Sequence, residues 1–107
     1  MTENFIVSSS NEIAGFEIKE HIGIVQGSTV RAKNIGSDFF AGLKNIIGGE
    51  LVGYSQLLQS SREQAYERMI ENAKSKGANA IVGFRFQTST ITQGASEILA
   101  YGTGIKI

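Results

Sequence analysis

Glu63, Glu67 and Glu71 recur every four residues, so on a helix they form one acidic stripe. Carboxylates stacked in this way can hold a hard cation, or several at a junction between subunits. The alternative is a solvated helix face relieved by Arg62, Arg68 and Lys74. His21 is the single imidazole of the chain, and cysteine is absent. Soft metals require thiolates and borderline ones favour imidazoles. One chain therefore cannot build a Cys- or His-rich centre, although a symmetric ring could gather several His21 side chains. Otherwise His21 is a polar residue on the outer face of a strand. A second group suits an anion: Arg62 and Arg85 as a guanidinium fork, with Tyr54 and Tyr101 lining the cleft. Pairing of Arg85 with a carboxylate such as Glu97 is the structural alternative.

Catalytic patterns fail at identifiable positions. Gly53-Tyr54-Ser55-Gln56-Leu57 begins like a nucleophile elbow but ends in Leu, and it falls within a helix rather than on a strand-to-helix turn. A Ser–His–acid triad would have to recruit His21, and nothing places a serine beside it. Gly102-Thr103-Gly104 has no helix after it to hold a phosphate. No catalytic residue and no cofactor are assigned. The reading is a non-enzymatic binding or scaffold protein, taking metal ions or a small anionic ligand at subunit interfaces. Its rival is an enzyme whose active site forms only between subunits.

The elements that must position these residues centre on one helix. Leu51, Tyr54, Leu58, Ala65, Met69 and Ala73 follow helical spacing from Glu50 to Lys76, and Ser61 fills the gap as a residue small enough for a close neighbour. Ser60-Ser61-Arg62-Glu63 has the form of a capping box, yet no Gly or Pro lies between Tyr54 and Lys76, so the helix is expected to run through. Gly77 supplies the stop. A first helix is expected from Ser37 to Ile47, with Phe39, Phe40, Leu43, Ile46 and Ile47 on its apolar face. Strands are expected at Asn4–Ser8 and Phe16–Lys33. In the second, Phe16, Ile18, Ile22 and Ile24 should share a face, with Gly23 and Gly27 interrupting the strand and a bulge or bend at Gly27-Ser28. Two more strands flank a turn at Thr92–Ala95. In the first of them, Val82, Phe84 and Phe86 should share one face. In the last, Ile98, Ala100, Gly102 and Gly104 leave a face with little bulk, inviting close approach by a helix or a neighbouring subunit. The order is β-β-α-α-β-β: an α+β domain with an antiparallel sheet and a long helix packed on one face.

A length of 107 residues suits a single domain, residues 1–107. Ten basic residues balance ten acidic ones. That balance argues against nucleic acid or an anionic membrane as partner, because both need positive excess. The absence of cysteine and of a basic stretch followed by an apolar run at the N-terminus fits a cytoplasmic protein.

Gly48-Gly49-Glu50, Tyr54, Arg62, Ala65 and Met69, the block Gly77-Ala78-Asn79-Ala80-Ile81-Val82-Gly83-Phe84-Arg85-Phe86, and Leu99-Ala100-Tyr101-Gly102-Thr103 together resemble the YbjQ-like family. Gly23-Ile24-Val25 and Asn34-Ile35-Gly36 extend the likeness over nearly the whole chain. This family comprises small bacterial proteins labelled heavy-metal-binding. The resemblance implies a dodecin-subunit-like α+β fold assembled as a ring, with five the favoured number. Gln87 stands where the family often has an acidic residue.

Assembly is also argued without the family. A helix from Glu50 to Lys76 would be about 40 Å long, against about 34 Å for the diameter of a compact domain of this size. Its apolar stripe runs its full length, and the glycine-bearing strand offers a second close-packing surface. Two different exposed patches that fit each other join head to tail, and closure gives a ring.

Overall fold

The computed structural model describes residues 5–31, 46–47, 50–92 and 95–107. Among these residues the elements are β1 (Ile6–Val7), β2 (Glu20–Arg31), β3 (Ile46–Ile47), β4 (Glu50–Leu51), α1 (Val52–Ser75), β5 (Ala80–Thr92) and β6 (Ala95–Lys106). The α+β class is as expected, but the order β-β-α-α-β-β is not. Most of the expected first helix lies outside the described residues, and its last two positions, Ile46 and Ile47, are strand. They pair with Leu51 and Glu50 in a separate two-stranded sheet. The main sheet has the order β1-β5-β6-β2. It is mixed rather than antiparallel, because β1 runs parallel to β5.

α1 is continuous through Ser60–Glu63. The Ser61 hydroxyl donates back to the Leu57 carbonyl at 2.9 Å instead of capping a new start. Ser61 is buried, as its place in the apolar stripe requires. Ala65, Met69 and Ala73 are fully buried, and Leu58 is half-buried. Ile70, which the spacing leaves off the stripe, is buried as well. At the C-terminus, Ala78 N–H bonds the Ala73 carbonyl and Gly77 N–H bonds that of Lys74, each at 3.0 Å. With Gly77 at φ 92° this is the Schellman arrangement, which needs the left-handed residue that glycine supplies.

The sheet packs α1 on one face. Val25, Ile81, Ile98 and Ala100 meet Ala65, Met69, Ile70 and Ala73 there. On the other face, Ile13 from the segment between β1 and β2 joins Ala80, Val82 and Ile105, with Ile18 at the margin.

Two bulges overturn the expected faces. The β2–β6 register shifts between His21 and Gly23, where Gly23 has φ 128°. One extra residue reverses the alternation beyond it. Ile22 therefore packs toward α1, while Ile24 is 71% exposed and Val25 takes the core position. The irregularity is at Gly23, not at Gly27-Ser28. The second bulge lies between Val82 and Arg85, with Gly83 at φ 66°. It turns Phe84 toward the helix side, away from the face that Val82 occupies.

The close approaches that glycine permits are internal. A Cβ on Gly27 would overlap the Met69 backbone nitrogen and lie 2.5 Å from the Ala65 carbonyl oxygen. On Gly104 it would come within 3.0 Å of a Val25 methyl and 3.1 Å of Ala78 Cβ. The helix thus rests on β2 backbone at Gly27. The low-bulk face of β6 is filled from within the same chain.

Candidate functional site

The bulge at Gly83 decides which site residues meet. Strand alternation beyond it sends Phe84 and Phe86 to the α1 side and Arg85 to the opposite side. Phe84 stacks edge-on against Tyr66 of α1 at 5.5 Å and against Phe86 at 4.9 Å. Between helix and strand lies an open cleft of about 350 Å³, lined by Gln59, Arg62, Glu63, Tyr66, Glu67 and Phe86. Arg62 with Tyr66, and Glu63 with Glu67, are pairs four apart, so each pair shares a stripe of α1. Gln59 donates to Glu63 at 3.4 Å, which holds that carboxylate toward the N-terminal end of the cleft.

Arg62 and Arg85 do not form a fork. Arg85 Nη1 donates to the Ser9 carbonyl at 2.8 Å and to the Phe84 carbonyl at 2.7 Å. It fastens the segment after β1 to the sheet. Its cross-strand neighbour is Tyr101, so these two do come together, on the face away from α1. Glu97 is opposite Ser89 and is not the partner of Arg85. The Tyr54 side chain lies outside the described residues.

The acidic stripe divides as well. Glu63 and Glu67 line the cleft, and Glu71 lies beyond it. His21 is exposed and pairs across the strands with Ile105, on the face away from α1. No group of three His, Cys, Asp or Glu side chains is placed to hold a metal among the described residues. With no thiolate and with its single imidazole across the sheet from the carboxylates, the donor set of one chain does not fit a heavy metal. The three charges of the cleft are one guanidinium and two carboxylates, so the cleft suits a cationic group better than an anion.

Tyr66, Phe86 and Gln59 were not legible as site residues. Tyr66 is one helical turn from Arg62, which was a usable signal. Phe86 enters the cleft only because of the bulge.

The Gly77-Ala78-Asn79-Ala80 block has a structural account. Asn79 Nδ2 donates to the Ile107 carbonyl at 3.2 Å, and Ile107 N–H donates to Asn79 Oδ1 at 2.9 Å. The Asn79 N–H bonds the Ile105 carbonyl at 2.9 Å. The block stops α1, starts β5 and clamps the end of β6.

Among the described residues, a mixed four-stranded sheet with one long helix across it defines a small α+β domain. Residues 5–107 match the family model YbjQ_1, described as "Putative heavy-metal-binding", and the chain belongs to that family. It is 57% identical over 93 residues to a UPF0145 protein of Acinetobacter baylyi, covering 87% of this chain and 86% of the relative. It is 52% identical over 100 residues to a UPF0145 protein of Psychrobacter arcticus, covering 94% of this chain but 63% of that longer relative. A UPF0145 protein of Methanosarcina acetivorans is 48% identical over 102 residues, covering 95% of this chain and 96% of the relative. A crystal structure of a DUF74-family protein of unknown function from Pediococcus pentosaceus shares the fold. It has a TM-score of 0.62 at 16% identity, over 98% of this chain and 99% of that one.

Proposed function

We propose that this chain is a non-enzymatic, cytoplasmic subunit of a closed homo-oligomer, five being the number its family resemblance favours, that binds a small ligand in a cleft at the subunit junction. The observation that carries the reading is the set of large apolar side chains left exposed on a small chain. Ile24 is 71% exposed, Ile91 56% and Val30 54%, and on a chain of 107 residues such surfaces call for a partner. Arg62, Glu63, Tyr66, Glu67 and Phe86 form the ligand-facing wall. Arg85 and Tyr101 present a second polar pair on the other side of the sheet, where Ile24 is exposed. The formal charge of zero leaves nucleic acid and anionic membrane as unsuitable partners. Among the described residues no helix is long and apolar enough to cross a membrane.

Native mass spectrometry at micromolar concentration tests the assembly. The expected species is a multiple of 11.5 kDa, with five copies favoured. A lone subunit overturns the oligomer, and a stable dimer overturns the ring. A thermal-shift screen of small anions, organic cations, nucleotides and flavins tests the cleft. A stabilising ligand whose shift disappears in Arg62→Ala or Tyr66→Ala supports it, and a shift lost only in Arg85→Ala moves the site to the opposite face.

A further inference from the structure

Among the described residues, two β elements of this chain have an edge that no strand covers, and each has what the other needs. The first is the outer edge of β5. β1 covers only its beginning, where Ile6 and Val7 pair with Ala80 and Ile81. Ser8 and Ser10 carry the contact as far as Gly83 and Phe84. The Phe84 N–H points outward, donating to the Ser8 carbonyl at 3.1 Å. By alternation, the N–H and C=O groups of Phe86, Thr88 and Thr90 point to the same edge. Among the described residues no strand pairs with them.

The opposite edge of the sheet, β2, is covered. Arg68 donates to the Ser28 carbonyl at 2.7 Å, Asn72 Oδ1 accepts from Gln26 N–H at 3.0 Å, and Lys76 donates to the Ile24 carbonyl at 3.1 Å. Among the described residues nothing comparable protects β5 beyond Phe84. Phe86-Gln87-Thr88-Ser89-Thr90-Ile91-Thr92 contains no charge and no proline, and Phe86 and Ile91 are exposed. Natural sheets avoid leaving such an edge open, because it is a template for another strand.

The second element is the β3–β4 ladder. It has two residues on each side and forms a sheet of its own. An isolated pair of strands is marginal in water and gains stability when a third strand joins it.

We propose that the β3–β4 ladder of one copy adds to the open edge of β5 in the next. This contact rests on the homo-oligomer reading above and names the surfaces that make it. The two surfaces differ, so the joint is head-to-tail and repeats until the ring closes. A second copy is the occupant because both halves of the joint are present on one chain. The covered β2 edge keeps the sheet from extending in the other direction. An added strand would lie beside Phe86 and so along the cleft of Tyr66, Glu63 and Glu67. The partner copy would then supply the missing wall of the ligand site.

The chain has no cysteine, so introduced thiols report contacts without background. Thr88→Cys is combined with Ile46→Cys or Ile47→Cys, oxidised, and read on denaturing gels without reductant. Covalent species larger than a dimer are expected from the double variants, since each copy donates at one surface and accepts at the other. Single variants should run near 11.5 kDa. A dimer from Thr88→Cys alone shows that β5 edges pair with each other and overturns the proposal. Double variants that assemble but do not cross-link overturn it too. Thr88→Pro removes one outward N–H at an edge position, where proline is tolerated. Its expected result is a fall from the assembled mass to 11.5 kDa with an unchanged circular dichroism spectrum. If Thr88→Pro unfolds, the cross-link pattern decides. A monomeric wild type sinks the oligomer reading itself, whereas an assembly untouched by Thr88→Pro sinks only this contact.

Discussion

At the scale of single residues, three glycines set the arrangement of the site. Gly23 and Gly83 take left-handed backbone at the two bulges, and each exchanges the faces of the strand beyond it. Gly27 acts through absence of bulk. Its missing Cβ lets α1 lie on β2, and the space is closed by Met69 and Ala65 backbone atoms rather than by a side chain that could swing aside. Gly27→Ala is therefore expected to cost about 3 kcal/mol, the upper range for overpacking a core. Urea unfolding with far-ultraviolet circular dichroism measures it, and a loss under about 0.5 kcal/mol would mean the helix moves away freely.

At the scale of elements, α1 and β2 are matched in pitch. Four helical residues advance about 6 Å and two strand residues about 6.6 Å. Arg68, Asn72 and Lys76 can consequently meet Ser28, Gln26 and Ile24 in step. The basic residues here do more than neutralise the helix end, because they occupy carbonyls that would otherwise recruit a strand. Asn72→Ala should cost about 1 kcal/mol, the usual net value of one hydrogen bond. The triple variant Arg68→Ala, Asn72→Ala, Lys76→Ala should gain self-association through β2. Light scattering would show growth beyond the wild-type mass, and an unchanged mass would mean the ladder does not protect the edge.

At the scale of the molecule, the chain is elongated. Its radius of gyration is 16.5 Å and its extents are 51 × 28 × 23 Å, against about 13 Å expected for a compact chain of this size. Ile24, Val30 and Ile91 are exposed on this long chain. The family description names heavy metals, but the donors of one chain do not suit them. Calorimetric titration with zinc or copper is expected to show no stoichiometric submicromolar site. A tight site at one metal per subunit would reverse that. One metal per several subunits would place it on a symmetry axis, where His21 or the stripe of Glu63, Glu67 and Glu71 could supply repeated ligands.

The helix, its stop at Gly77, the burial of Ser61 and the hairpin of β5 and β6 were all legible in the sequence. Each follows from local rules: helical spacing, a left-handed residue after a basic turn, and alternation on either side of a turn. The acidic stripe was legible for the same reason. The sequence did not determine which strand face Ile24, Phe84 and Arg85 would occupy, since a bulge of one residue leaves the composition of a strand unchanged and reverses every side chain after it. Arg62 and Arg85 looked like a pair because Arg85 sits in an otherwise apolar strand and Arg62 belongs to no obvious salt-bridge ladder. Only the tertiary structure puts a sheet between them, tying Arg85 to Ser9 and giving Arg62 the neighbours Tyr66 and Phe86. The parallel pairing of β1 with β5, and the covered edge of β2, depend on contacts between residues about 40 to 75 positions apart. Such contacts leave no local periodicity to read, because they are set by how the finished elements pack.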